Sequence, residues 1–144
     1  MKIFIIGSIG YGGKEQIIEI SNFLIEKGYE ILDQFGNKGL DFSKIDDFRD
    51  KLELSKEIIN LDLEFVQKAN ILVLVTNGPS FGAAFEICEA RVQKKPVILF
   101  APKKIPTPWP IAYVNDIAKT KKELILKLEK YKRVLFSKDK KKNS

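Results

Sequence analysis

Ile71-Leu72-Val73-Leu74-Val75, running on through Thr76-Asn77-Gly78-Pro79-Ser80-Phe81-Gly82-Ala83-Ala84-Phe85-Glu86, is the stretch that decides how this chain is read. An unbroken apolar run of five residues suits a strand buried on both faces, as at the centre of a parallel sheet. Thr76 to Phe81 reads as a loop and Gly82 to Gln93 as a helix, with Ser80 placed to cap it. Gly82, Ala83 and Ala84 keep the first helical turn free of bulk. Ala83, Glu86 and Ala90 then share one helical face, which sets the Glu86 carboxylate about two turns in. A glutamate there is either a solvated surface residue or a group aimed into the space the small residues leave. Its position after a central strand favours the second.

Upstream, Lys2 to Ile6 is a short β-branched and aromatic run ending in Gly7-Ser8-Ile9-Gly10-Tyr11-Gly12-Gly13, followed by an amphipathic helix from about Lys14 to Lys27. Gly28 stands at the expected helix end, and Tyr29 to Leu32 forms a second strand. The polar segment Asp33 to Lys44 is expected to be the most mobile loop. Ile45 to Ala69 has helical periodicity, in one or two pieces, through Leu54, Ile58, Leu61 and Phe65. Downstream, Pro96 to Phe100 reads as a fourth strand, Ala101 to Pro110 as a proline-rich connection, Ile111 to Val114 as a fifth strand, and Lys121 to Tyr131 as a last helix. The alternation predicts a flavodoxin- or Rossmann-like α/β fold, a doubly wound parallel sheet of about five strands in three α/β/α layers. Residues 1–136 are expected to form one domain and 137–144 a disordered basic tail.

The 144 residues, 44% of them hydrophobic, suffice for a real core. No stretch approaches the roughly 20 apolar residues that cross a bilayer, so a cytoplasmic protein without membrane contact is expected. The chain has no histidine and one cysteine, Cys88, which removes the common zinc sets and every Ser-His or Cys-His nucleophile. Catalysis must run on carboxylates, hydroxyls, amides and lysines, and no metal or cofactor is expected. Much of the basic excess behind the net charge of +6 falls between Lys119 and Lys142, which reads as a solvated helix face and tail. Nucleic acid is not the expected partner, because the tail lacks aromatic or base-reading residues.

Ligands of open α/β sheets bind at the carboxyl ends of the strands, so the loops after Ile6, Val75 and Phe100 should converge. In the first, Gly7, Ser8, Ile9, Gly10, Tyr11, Gly12 and Gly13 suit an anion held by backbone N–H groups at a helix start, or a plain tight turn. Their spacing is neither that of a dinucleotide fingerprint nor that of a P-loop. In the second, Gly78, Ser80 and Gly82 border the same edge. In the third, Trp109 sits among Pro106, Pro108 and Pro110, either to stack on a base or to be buried in the core or an interface. Asp62, taken alone an ordinary helix residue, becomes chemically useful beside Glu86. A retaining glycosidase needs one ionised carboxylate to attack the anomeric carbon and an acid to help the leaving group.

Gly7-Ser8-Ile9 with Gly12-Gly13, then Asp62-Leu63-Glu64, then Pro79-Ser80-Phe81-Gly82 with Glu86, together resemble the nucleoside 2-deoxyribosyltransferase superfamily over about residues 2 to 100. The likeness points to its branch of 2′-deoxynucleoside 5′-monophosphate N-hydrolases of the Rcl type. It implies a homodimer in which Glu86 attacks the deoxyribose and water resolves the glycosyl-enzyme. It implies also that Asp62 serves the leaving base and that Ser8, Gly10, Gly12 and Ser80 surround the 5′-phosphate. Three positions depart from the pattern. Gly10-Tyr11 stands where the hydrolases carry an arginine, leaving Lys14 as a substitute cation; Phe4 stands for a first-strand tyrosine; and Thr107-Pro108-Trp109-Pro110 offers no match for a partner-subunit residue. The alternatives are base exchange between free deoxynucleosides, a ribonucleotide N-glycosidase, and a nucleotide-binding module without catalysis.

Overall fold

The computed structural model describes residues 1–36, 42–76 and 78–137, and of Tyr11 the backbone alone. Five strands, β1 (Lys2–Ile6), β2 (Glu30–Ile31), β3 (Ile71–Val75), β4 (Val97–Phe100) and β5 (Asp116–Ala118), form one all-parallel sheet in the order β2-β1-β3-β4-β5. Its register pairs Ile3 with Ile71, Leu72 with Val97 and Ile98 with Asp116. The helices are α1 (Lys14–Glu26), α2 (Leu52–Lys68), α3 (Phe81–Val92), α4 (Pro108–Tyr113) and α5 (Lys121–Ser137).

Because β-strand side chains alternate between faces, the central strands feed two cores. Ile3, Ile5, Ile71, Val73 and Val75 pack with Ile17, Ile20 and Leu24 of α1 and Leu124 and Leu128 of α5. Phe4, Ile6, Leu72 and Leu74 pack with Phe65 and Val66 of α2 and Ala83, Ile87 and Ala90 of α3. The result is the expected three-layer α/β/α arrangement. Since α1 lies on one face and α3 on the other, β1 and β3 flank the point where the chain reverses direction across the sheet, and their carboxyl ends open a crevice there.

The fifth strand lies elsewhere than the apolar pattern predicts. Ile111 to Val114 is not a strand: Pro108 to Tyr113 coil into α4, whose prolines occupy first-turn positions that need no N–H donor, and β5 follows at Asp116–Ala118. The helix expected from Ile45 begins only at Leu52. Asp47 Oδ1 accepts the Arg49 backbone N–H at 3.0 Å and its carboxylate pairs with the Arg49 guanidinium, a local turn that competes with helix. The last helix runs on to Ser137, and the rest of the expected tail, 138–144, lies outside the described residues, as do 37–41 of the polar loop. Part of the basic excess is neutralised internally, with Lys127 and Lys130 both on Asp116 and Lys121 on Glu19. Among the described residues no helix is long and apolar enough to cross a membrane.

Candidate active site

The glycines at the β1 end divide by what a side chain would meet there. A Cβ on Gly7 would collide with the Val75 carbonyl oxygen, so Gly7 is what lets β1 and β3 end side by side. A Cβ on Gly13 would lie 2.7 Å from the Ser8 carbonyl oxygen and 2.9 Å from Ser8 Oγ. Among the described residues a Cβ at Gly10, by contrast, would meet nothing, and the same holds at Gly78, while at Gly82 only Ser80 Oγ lies within reach, at 4.0 Å. Those three leave backbone open to a ligand. Gly12, also in open space, has φ +81°, the left-handed conformation that closes the 3-10 turn Ile9–Tyr11 before α1.

Helix α1 starts after Gly13, which has no side chain to cap it. Ser8 is 1% exposed and its hydroxyl has no hydrogen-bond partner among the described residues. Buried hydroxyls are nearly always paired, which sets this one apart. Ile9 is buried in the α1 core. Between β3 and α3 the turn is tied internally: the Thr76 hydroxyl donates to the Gly78 carbonyl at 2.7 Å and accepts from its N–H. Ser80 Oγ caps α3 by accepting the Ala83 N–H at 3.2 Å.

Glu86 lies on the buried face of α3 with Ala83, Ile87 and Ala90 and is only 8% exposed. No hydrogen-bond donor of the described residues reaches its carboxylate. Asp62, half-buried on the adjoining α2, is close enough to act on it by charge. Burial pushes the Glu86 carboxyl well above the usual carboxylate range, and the negative charge of Asp62 raises it further. Burial alone pushes Asp62 up to about 6. Each carboxyl is thus held in its protonated form to higher pH than a free one, and the charge of one acts on the other. The sequence could pair them only by the chemistry they would share and by the resemblance, because α2 and α3 meet by tertiary packing. Phe4 is fully buried in the same layer, stacked on Phe65 at 5.3 Å, and brings no hydroxyl to the pair.

Trp109 does not enter the core: it is 71% exposed on α4, tilted against Tyr113 at 6.3 Å. The open depression beside it, about 490 Å³, is lined by Ile105, Pro106, Thr107, Pro108, Ile111 and Ala112 and by neither carboxylate. Sequence reasoning missed Gln34. It is buried beyond β2 and donates its amide to the Ile5 carbonyl at 2.7 Å, fixing the loop beside the β1 end. Nothing in a polar loop sequence marks one glutamine for burial. Among the described residues no group of three His, Cys, Asp or Glu is placed to hold a metal ion.

No family model matches the chain. Two proteins provisionally named 2′-deoxynucleoside 5′-phosphate N-hydrolase 1 are similar to it in sequence. The one from Methanosarcina mazei is 33% identical over 99 residues, 67% of this chain and 58% of the relative. The one from Methanosarcina barkeri is 31% identical over 105 residues, 70% of this chain and 62% of the relative. The chain thus spans about three fifths of the length of these relatives. Among solved structures, a 2-deoxyribosyltransferase from Bacillus psychrosaccharolyticus superposes with a TM-score of 0.61 at 21% identity, over 83% of this chain and 87% of that one. A CMP N-glycosidase from Clostridium botulinum superposes with a TM-score of 0.52 at 23% identity, over 90% and 99%. Both share the fold.

Proposed function

We propose, for a chain related in sequence and fold to the nucleoside 2-deoxyribosyltransferase superfamily and its N-hydrolase branch, that it hydrolyses the N-glycosidic bond of 2′-deoxynucleoside 5′-monophosphates. The observation that carries this reading is the buried Glu86 on α3 with the charge of Asp62 acting on it. In the productive state Asp62 is protonated and Glu86 is ionised. The Glu86 carboxylate attacks C1′ of the sugar, the C1′–N bond breaks, its electron pair leaves with the base, and the base takes the Asp62 proton. Water then attacks C1′ of the glycosyl ester, giving up a proton to Asp62 and freeing Glu86. The products are free base and deoxyribose 5-phosphate. The apolar walls raise the energy of both carboxylates before substrate arrives, and positive charge developing on the sugar in the transition state favours ionised Glu86.

Chromatography of the protein incubated separately with deoxynucleoside monophosphates, ribonucleoside monophosphates and free deoxynucleosides, with and without an acceptor base, tests it. Base released from deoxynucleoside monophosphates, and lost in Glu86→Gln, is the expected result. A new nucleoside formed with the acceptor would instead make the chain a transferase, and release from ribonucleotides a ribonucleotide N-glycosidase. Thermal stabilisation by nucleotide with no product from any of them would leave a binding module.

A homodimer is part of the same proposal. Phe81, Phe85, Cys88 and Val92 recur at four, three and four residues along α3 and are all exposed, Phe81 and Phe85 at 82% and 72%. With Trp109, 71% exposed, they leave aromatic and aliphatic surface of the kind found at the core of stable interfaces. Light scattering of the wild type and of Phe85→Lys should give a dimer and a monomer.

A further inference from the structure

We propose that the outward face of α5 docks on anionic phospholipid bilayers, a property independent of the catalytic reading above. Residues 119–142 hold eleven lysines and arginines against three aspartates and glutamates, an excess larger than the +6 of the whole chain. The structure gathers much of this charge on one surface. Leu124 and Leu128 face the core shared with α1. Lys122, Leu126, Lys130 and Arg133 recur at four, four and three residues, so they form a line on the opposite side of the helix, with Val134 and Phe136 beside it. All six are exposed, Leu126 at 60%. Lys122, Lys132 and Arg133 have no acidic partner among the described residues, and more than half of the Lys130 side chain stays in solvent beside Asp116. The acids of this helix are engaged: Glu129 accepts the Tyr29 hydroxyl and Glu123 accepts the Lys119 N–H at 2.7 Å. Lys138, Lys140, Lys141 and Lys142 follow directly in the sequence.

Cations interleaved with exposed leucine, valine and phenylalanine suit a lipid interface, where the charges meet anionic headgroups and the apolar side chains enter the acyl boundary. A nucleic acid would satisfy the cations alone. It would leave Leu126 and Val134 in water, and apart from Phe136 the line offers no ring or amide to meet a base. An interfacial helix lies along the surface, so it needs no apolar run of spanning length. The face is also remote from the chemistry. Helix α5 packs in the layer of α1, whereas Asp62 and Glu86 belong to α2 and α3 in the other layer. Because α5 follows β5 and returns toward the amino ends of the parallel strands, Arg133, Val134 and Phe136 lie at the end of the sheet away from the crevice. Docking through them leaves the crevice open to a soluble substrate.

The test is co-sedimentation of the full chain with vesicles of phosphatidylcholine alone and of phosphatidylcholine with phosphatidylserine as about a third of the lipid, at low and raised salt. Wild type is compared with the pair Lys132→Ala and Arg133→Ala and with the pair Leu126→Ser and Val134→Ser. Wild type should bind the mixed vesicles, ignore the neutral ones and come off as salt rises. At about fivefold per basic residue, the alanine pair should weaken binding about 30-fold. The serine pair should weaken it about tenfold, because two side chains then no longer enter the lipid. Neither pair touches Leu124 or Leu128, so thermal unfolding should stay near wild type; if a pair unfolds, the wild type's lipid and salt dependence still decides. Wild type bound equally to both vesicles, or to neither, would overturn the proposal. So would a folded serine pair that binds as wild type does. Anisotropy of a labelled single-stranded oligonucleotide separates the rival: tight binding there, lost in the alanine pair and kept in the serine pair, with no binding to vesicles, would give the face to nucleic acid instead.

Discussion

Replacing Asp62 by asparagine should stabilise the unliganded protein, by an amount that depends on pH in a defined direction. In the unfolded chain an aspartate releases its proton near 4, whereas folded Asp62 keeps it until about 6 because burial penalises the charged form. The folded state therefore binds more protons than the unfolded one between these limits, and stability falls as pH rises through that window. The usual salt-bridged carboxylate does the opposite. The rise from 3.8 to about 6 is worth roughly 3 kcal/mol at most, all of it present above pH 6 and none below about pH 4. Asparagine has the same shape and no charge, so it removes this cost and relieves Glu86 of its neighbour's charge. Thermal unfolding followed by circular dichroism from pH 4 to 8 should show the variant matching wild type at the acid end. At pH 7 its Tm should be higher, by up to roughly 6–12 °C for a protein of this size. A variant less stable than wild type by the same amount at every pH would refute the reasoning, since it would mean that Asp62 acts by packing or hydrogen bonding.

Three other outcomes follow from the geometry. Gly7→Ala should cost about 2–3 kcal/mol in urea unfolding, because its Cβ would strike the Val75 carbonyl between paired strands that cannot part; a wild-type midpoint would show that the strand ends are looser than described. Ser80→Ala removes the α3 cap and should cost about 1 kcal/mol, with Ser80→Asp close to wild type. Lys95 bridges the carbonyls of Val66, Gln67 and Ala69 at the end of α2, so Lys95→Met should lower stability by about 1–2 kcal/mol and speed amide exchange in the last turn of α2.

The legible parts of the chain were those where burial leaves a one-dimensional trace. Lys2–Ile6 and Ile71–Val75 were read at their boundaries because strands covered on both faces must be apolar where they are covered, from Ile3 on in the first and throughout in the second. The start of α3 was legible because Ser80 announces its cap. The fifth strand was misread because Ile111 to Val114 is apolar for a helix lying on the surface. The true edge strand, Asp116–Ala118, buries only Ala118 completely and so leaves little pattern. Of the site, Glu86 could be placed by helical spacing from Ser80. The burial of Asp62 could not, because its surroundings come from α3, across a helix interface that no local periodicity records.

The position of β1 in the middle of the sheet also bears on how the chain reaches its native state. One neighbour, β2, pairs with it through only two residues, and the other, β3, enters register with Ile3 at Ile71, a separation of 68 residues. After Lys2, β1 is wholly apolar, and its main partner follows it in the chain only after α1, β2 and α2. Helices form in microseconds and distant strand pairs slowly, so α1 and α2 should exist before the sheet does, and closure of β1 on β3 should limit the refolding rate. Until that closure the edge of β1 stays open to other chains, so aggregation should depend on protein concentration during refolding and cease to do so once β3 is in place.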